Sequence, residues 1–246
     1  MMTAPLQAAK KDLRKKIRDA LRKIPADSLS SQSGVATNKL LSLTEYQNAK
    51  RIGVYLSMPS GELSTTSIVQ DALTKGKEVF IPYIYTVEPP AMLPKTSVMD
   101  MLALESMEEF ESLEADKWGI PSLKNDQVHG KKNCFGGSGL TFPAEKQTTS
   151  HDSQGLDLIV MPGMAFDQGF RRLGHGKGYY DHFLTRYSTK AADGKTVAGA
   201  LKMPFLVALA LQEQMLPPSE EIPVTHHDWP IDALIVGDGK FFVRKR

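Results

Sequence analysis

Cysteine is almost absent: Cys134 stands alone among 246 residues. A single thiol can form neither an intrachain disulfide nor a cysteine cluster for zinc, so the fold must rest on its core, in a reducing compartment. Long apolar runs are missing too. The longest, such as "FLVALAL", fall far short of the roughly 20 residues that a spanning helix needs, and no membrane is expected as a partner. Neither sign of charge dominates. With 30 Lys and Arg against 28 Asp and Glu, the net charge is +2, too mild for a nucleic-acid surface. Any cationic site must therefore be local. No apolar signal-peptide core follows the N-terminus. The first 24 residues are basic, which leaves a mitochondrial address open, but Asp12 and Asp19 argue against it and the cytoplasm is expected. The standard catalytic patterns are also lacking: there is no "HExxH" and no Ser-His-Asp arrangement.

What is present is enough apolar residue, 41%, for a sizeable core. Residues 8–24 read as an amphipathic helix with Leu13, Ile17, Leu21 and Ile24 along one stripe. A second helix is expected over 27–43 with Asp27 as its cap. "RIGVYLSM" reads as a buried strand, "TSIVQDALTKG" as a helix ending at Gly76, and "EVFIPYIY" as another strand. "LDLIVMPG", "FLVALAL" and "DALIVG" are further short apolar strands. Alternation of this kind predicts an α/β fold with a mainly parallel sheet. Residues 124–155 and 188–199 are polar and aperiodic and read as long surface loops or disorder, either insertions or, for the first, a lid.

In open α/β sheets, ligands sit at the carboxyl ends of the strands. That position gathers "SMPSGE", "PGMAFDQGFRRLGHGKGYYD" and the segment around Asp228. The decapeptide "RLGHGKGYYD" at 172–181 carries alternate glycines among Arg172, His175 and Lys177, which favours an anion held by exposed backbone N–H groups. It matches neither a dinucleotide fingerprint nor a P-loop, since Tyr179 stands where the first needs glycine and Gly178 where the second needs Ser or Thr. Lys10 and Arg14 are four apart and share a helix face, which by itself reads first as a solvated face. Tyr180 and Phe183 read as core. Asp181 is open between a cap-like residue and a metal ligand. The adjacent His226 and His227 do not make a zinc site, whereas an oxygen ligand from Asp228 to magnesium suits a phosphate site. Glu62, at a strand exit, reads alone as a solvated carboxylate, and Trp118 as core or as a stacking platform.

Taken together, "AKKDLR", "YLSMPSGELST", "KWGIP", "LDLIVMPGMAFDQGFRRLGHGKGYYDHFL" and "HDWPID", in this order over residues 10–237, resemble the 5-formyltetrahydrofolate cyclo-ligase family, also called 5,10-methenyltetrahydrofolate synthetase. The resemblance covers nearly the whole chain apart from the two polar loops. It implies a single three-layer α/β/α domain over 1–246, expected as a monomer, that closes 5-formyltetrahydrofolate to 5,10-methenyltetrahydrofolate with ATP and Mg2+, releasing ADP and phosphate.

Carried onto this sequence, the resemblance implies that Lys10, Lys11 and Arg14 meet the ATP phosphates, with Arg14 also near the folate. Arg172, Leu173, Gly174, His175, Gly176, Lys177 and Gly178 would cradle the phosphates. Tyr179 would lie between nucleotide and formyl group, with Tyr180 beside the nucleotide. Tyr179, Arg172 and Lys177 are the catalytic candidates. Asp181 and Asp228 would hold Mg2+. Leu56, Glu62 and Trp118 would contact the folate, together with the 175–178 turn, Glu62 pairing with the pterin amino group and ring N–H. One departure stands out: the family often has arginine where this chain has His175. Two other classes fit less of the pattern, a small-molecule kinase with an unusual phosphate loop and a folate- or nucleotide-binding protein without turnover.

Overall fold

A computed structural model of the chain describes residues 4–87, 96–142, 155–192 and 202–245. Its helices are α1 (Ala4–Leu21), α2 (Ala26–Leu41), α3 (Thr44–Asn48), α4 (Thr66–Thr74), α5 (Met107–Ser112) and α6 (Tyr179–Ala192). Its strands are β1 (Arg51–Val54), β2 (Glu78–Val87), β3 (Thr96–Leu104), β4 (Glu114–Ala115), β5 (Pro121–Ser122), β6 (Leu158–Met161), β7 (Ala165–Phe166), β8 (Arg172–Leu173), β9 (Phe205–Ala210), β10 (Ala233–Val236) and β11 (Phe241–Val243). No helix among the described residues is long and apolar enough to cross a membrane.

Seven strands form one sheet in the order β11-β10-β9-β6-β1-β2-β3. The five inner strands pair in parallel, and β11 and β3 close the edges antiparallel. The register puts Ile52 opposite both Val79 and Leu158, and Val160 opposite Val207. Successive side chains leave on opposite faces. Ile52, Val54, Leu158, Val160, Val207 and Leu209 meet α2, α3 and α4 on one side. Ile159, Met161, Leu206, Ala208 and Leu234 meet Phe183, Leu184 and Tyr187 of α6 on the other. Burial on both faces is why these strands read as unbroken apolar runs rather than alternating ones. The result is an α/β, three-layer arrangement around a mainly parallel sheet. At its centre, a Cβ on Gly53 would sit 2.8 Å from the Met101 sulfur, so a side chain there would push Met101 out of place in the core.

Several boundaries differ from the sequence reading. Asp27 is not the cap of α2: Pro25 holds that position, without a side-chain hydrogen bond, and Asp27 lies in the first turn, where its charge still faces the helix dipole. β1 stops at Val54 rather than running on to Met58, because Tyr55 turns into a loop pinned by Thr65 Oγ1, which donates to the Tyr55 carbonyl at 2.6 Å. α4 does end just before Gly76, whose φ of 69° is the left-handed turn that a helix exit favours. The first half of the polar stretch at 124–155 is not peripheral. Cys134 and Phe135 are core, and Asn133 Nδ2 donates to the Gly139 carbonyl at 2.9 Å while buried beside Asp100. Residues 188–192 of the other polar stretch are the end of α6 rather than loop; residues 143–154 and 193–199 lie outside the described residues.

Strand order also locates the ligand crevice. From β1 the chain steps to β2 on one side, and β6 then adds on the other. The reversal falls between β1 and β6, and the crevice of such a sheet opens at the carboxyl ends of those two strands. The two glycine-bearing segments singled out in the sequence leave from there.

Candidate active site

The loop after β1 supplies a buried carboxylate. The Tyr55 hydroxyl donates to the Leu63 carbonyl at 3.1 Å, which folds the loop back on itself. Glu62 is only 7% exposed. Its Oε2 accepts the Met58 N–H at 3.0 Å, and its Oε1 lies 3.3 Å from His175 Nε2. A carboxylate pays heavily for leaving water unless it is hydrogen-bonded. Here one oxygen is fixed by backbone, and the other faces a half-exposed ring that a ligand could replace.

The loop after β6 is a tight hairpin followed by the glycine turn. Asp167, 2% exposed, accepts Arg171 Nε at 2.7 Å, the Arg171 N–H at 3.1 Å and the Ile222 N–H at 2.8 Å. That anchor tolerates the left-handed φ of 61° at Phe170 and delivers β8 and Arg172 to the crevice. Gly176 has φ of 104° and Gly178 of 70°, and a Cβ at Gly176 would meet the Arg14 guanidinium at 3.3 Å. The turn therefore needs glycine both for its dihedrals and for the close approach of α1.

α1 brings two cations to this turn from one helix face. Arg14 Nε donates to the Gly174 carbonyl at 2.8 Å. Burial lowers the Arg14 pKa, with Arg18 adding to the effect and Asp228 opposing it. Lys10, 4% exposed, donates to both Asp228 oxygens at 2.9 and 2.8 Å. Burial works against ionisation of Asp228, but hydrogen bonds from Lys10 and from Thr225 outweigh it and hold the carboxyl below its ordinary range. A second pair stands beside the first. Arg172 Nη2 donates to both Asp181 oxygens at 2.9 Å, and the Trp229 N–H donates to Asp181 Oδ1 at 3.0 Å. The bond from Trp229, next in chain to Asp228, joins the two carboxylate-bearing segments across 48 residues.

The structure thus brings together Lys10, Arg14, Glu62, Arg172, the 174–178 turn, Asp181 and Asp228. His175, Gly176 and Lys177 are exposed in the turn. Tyr179 and Tyr180 open α6, with the Arg172 guanidinium 5.8 Å from the Tyr180 ring centre. The Tyr180 hydroxyl is buried without a partner among the described residues, and burial raises its pKa, so it is a neutral phenol. Other expected residues sit differently. Leu173 is core, packed with Ile17 and Leu216, and its carbonyl is taken by the Met164 N–H, so neither its side chain nor its oxygen faces a ligand. Leu56 is buried in the main core, and Lys11 is exposed on α1. Trp118 is 57% exposed on the β4–β5 turn, where Gly119 approaches Pro59 of the loop after β1. It is therefore an exposed platform rather than core. Thr225, Met58 and Trp229 were missed. Thr225 had a signal, since a threonine three residues before an aspartate forms the turn in which its N–H and hydroxyl reach Asp228 at 2.6 and 3.0 Å. The other two act through backbone N–H groups and leave no side-chain signature.

Asp181 and Asp228 offer oxygen ligands only, as a hard cation requires. Mg2+ is commonly held by one or two carboxylates while phosphates and waters complete its shell. No group of three His, Cys, Asp or Glu forms a metal cage among the described residues. The donor set suits a cation that arrives with phosphates, and Lys10 and Arg172 neutralise the same carboxylates meanwhile.

Comparison with known proteins gives a consistent result. A model described as the 5-formyltetrahydrofolate cyclo-ligase family matches residues 6–237. A Mus musculus protein named 5-formyltetrahydrofolate cyclo-ligase is 32% identical over 238 residues, covering 97% of this chain and 98% of that one. A Schizosaccharomyces pombe protein named probable 5-formyltetrahydrofolate cyclo-ligase is 31% identical over 226 residues, covering 92% of this chain and 94% of its own. Among solved structures, the NMR structure of Aquifex aeolicus 5,10-methenyltetrahydrofolate synthetase shares the fold with a TM-score of 0.58 at 24% identity, over 96% of this chain and 92% of that one.

Proposed function

The chain belongs to the 5-formyltetrahydrofolate cyclo-ligase family, and we propose that it closes 5-formyltetrahydrofolate to 5,10-methenyltetrahydrofolate at the β1/β6 crevice, with ATP as phosphoryl donor. The observation that carries this is the convergence of three cations, a glycine turn and two carboxylates on one strand edge, beside the buried Glu62. A phosphate-bearing ligand with its counter-ion makes use of all of them.

The chemistry explains the residue types. A formyl amide is a poor electrophile, and its oxygen is a poor leaving group. Attack of that oxygen on the γ-phosphorus breaks the bond to ADP and leaves an iminium-like phosphate. N10 of the same substrate then attacks the formyl carbon, its proton is released, and departure of phosphate completes the ring. Attack within one molecule already has a high effective concentration. The protein is left with positioning and charge stabilisation.

Arg14 and Lys177 would meet the nucleotide phosphates together with the N–H groups of the 174–178 turn. Lys10 and Arg172 do so by turning from their carboxylates. Glu62 receives the paired N–H donors of the pterin once His175 swings off its Oε1. The Tyr180 phenol, neutral and without a partner among the described residues, is a buried donor beside Arg172. Asp181 and Asp228 would hold Mg2+, which when bound supplies counter-charge to the phosphates. A monomer in a reducing compartment, the cytoplasm or the mitochondrial matrix, suits a chain whose one cysteine is a free, buried thiol. The test is the absorbance of methenyltetrahydrofolate formed with and without ATP. Product only with ATP supports the proposal. ADP without cyclised product would mean a kinase, and binding without either product a non-catalytic protein.

A further inference from the structure

At the amino ends of the parallel strands, away from the candidate active site, a cleft of about 930 Å3 opens between α3, the end of α4, the start of β1 and the turn at 132–138. Its charged lining is Lys50, Arg51, Lys75, Lys77 and Lys132 against Glu78 alone. In a chain of net charge +2, that is a local concentration. The carboxylates nearby are already committed. Glu78 accepts Arg51 Nη1 and Lys132 Nζ, each at 2.8 Å. One oxygen of Asp157 takes the Lys50 and Arg51 N–H groups at 2.8 and 2.9 Å. Asp71 serves the Tyr46 hydroxyl at 2.7 Å and Lys75 at 3.0 Å.

Two of the five side-chain cations, by contrast, lack a carboxylate contact among the described residues. Lys50 has no carboxylate partner among the described residues, and Lys77 Nζ reaches only the carbonyls of Gln47 and Ala49, at 3.0 and 2.6 Å. Lys75 and Lys77 crowd one Tyr46 ring, 5.8 and 5.0 Å from its centre. Burial, with Lys75 adding to it and Asp71 and Asp157 opposing it, lowers the Lys77 pKa. Arg51 is held rigid against the Phe80 ring at 4.7 Å, and its Nε is buried without a partner among the described residues. The facing wall carries no side chain at Gly136 and Gly137, whose φ values of 93° and 71° only glycine adopts readily, while the Gly136 N–H and the Gly137 carbonyl are held by Asn133. Complementing the dipole of α4 accounts for Lys75 but not for Lys50, Arg51 or Lys132, which lie on other segments.

We propose that this cleft binds a small multivalent anion, a compound carrying several phosphate or carboxylate groups, at a site distinct from the active site. Its volume lies within the roughly 300–1,000 Å3 of small-molecule sites. Rigid Arg51 gives direction, and the lysines supply charge.

The probes are tripolyphosphate and citrate, titrated calorimetrically into the full chain. Lysine acetylation, read by mass spectrometry, locates each probe. Tripolyphosphate also suits the active site, so two binding events are expected with it. The variant Lys50→Gln/Lys75→Gln/Lys132→Gln alters exposed side chains outside the catalytic machinery. It should weaken one event by about tenfold or more, as loss of charge-assisted contacts does, and leave the other and turnover intact. Saturable protection of Lys50, Lys75 and Lys132 in the unaltered chain is expected from at least one probe, and the effective probe names the anion class. The proposal is overturned if neither probe protects them, if sodium chloride at matched ionic strength protects them equally, or if the variant titrates like the unaltered chain.

Discussion

Replacing Lys10 by methionine keeps much of the apolar stem and removes only the ammonium, so it isolates the pair with Asp228. The Lys10 side chain is 5% exposed and that of Asp228 20%. Breaking a fully buried pair costs about 3–5 kcal/mol, and a surface pair is worth about 0–1 kcal/mol. Asp228 keeps some water and both bonds from Thr225, so the expected loss is about 2 kcal/mol, between those limits. For a chain of this size that is about 4–8 °C in Tm. The sign with pH follows from the depressed carboxyl of Asp228. Its contribution is fully present above the ordinary carboxyl pKa of about 4 and is lost as pH falls through the lower folded value. The gap between the unaltered chain and Lys10→Met should thus be full at pH 7 and close in acid. Urea unfolding of both proteins across that range measures it. The decisive control is the Asp228→Asn background, where Lys10→Met no longer strands a carboxylate and should cost little or even stabilise. If the loss is the same in that background, it comes from packing of the lysine stem and the charge argument fails.

Three further outcomes address the site itself. Asp181→Asn should leave the fold intact but cut turnover on the scale of about 3 kcal/mol if this carboxylate holds Mg2+ as proposed, since Arg172 also loses its counter-charge; near-normal magnesium-dependent rates would exclude Asp181 from that role. Glu62→Gln turns one acceptor into a donor facing a donor, so calorimetry should show weaker folate binding with ATP binding kept; equal loss of both would make Glu62 structural. Gly176→Val should raise the ATP Michaelis constant far more than His175→Arg, because a branched side chain at φ of 104° is strained and a Cβ there already sits 3.3 Å from Arg14. Similar damage from both variants would give the imidazole a specific role.

The inner strands were legible because burial on both faces writes itself as unbroken apolar runs, as in "LDLIVMPG" and "DALIVG". β3 was not. Its sequence "TSVMDMLAL" is interrupted by Asp100, which reads as surface yet is fully buried. What makes this tolerable is remote: Arg186 Nη2 at 3.0 Å, the Tyr85 hydroxyl at 3.1 Å and the Thr141 N–H at 2.6 Å all point at that carboxylate. The same partnership explains why Asn133 and Thr141 are buried although the composition of 124–142 is that of a loop. A local pattern cannot announce partners 86 and 41 residues away.

The site shows the same division. Glycine spacing and charge type exposed the phosphate-like turn, because the demand for glycine at 176 and 178 is local in the backbone. The pairing of that turn with α1 lay beyond the sequence, since Lys10 and Arg14 on a helix face look like any solvated pair until the chain places Asp228 and Gly174 opposite them. Glu62 is the sharpest instance. As one residue it reads as a solvated carboxylate, whereas in the fold it is buried, held on one side by the Met58 N–H and covered on the other by His175. Burying an acid that only a backbone amide and a displaceable ring satisfy gives the fold little in return. The arrangement makes physical sense when the carboxylate is kept for donors that a ligand brings, which is why the folate prediction at Glu62 tests the site more directly than any of its lysines.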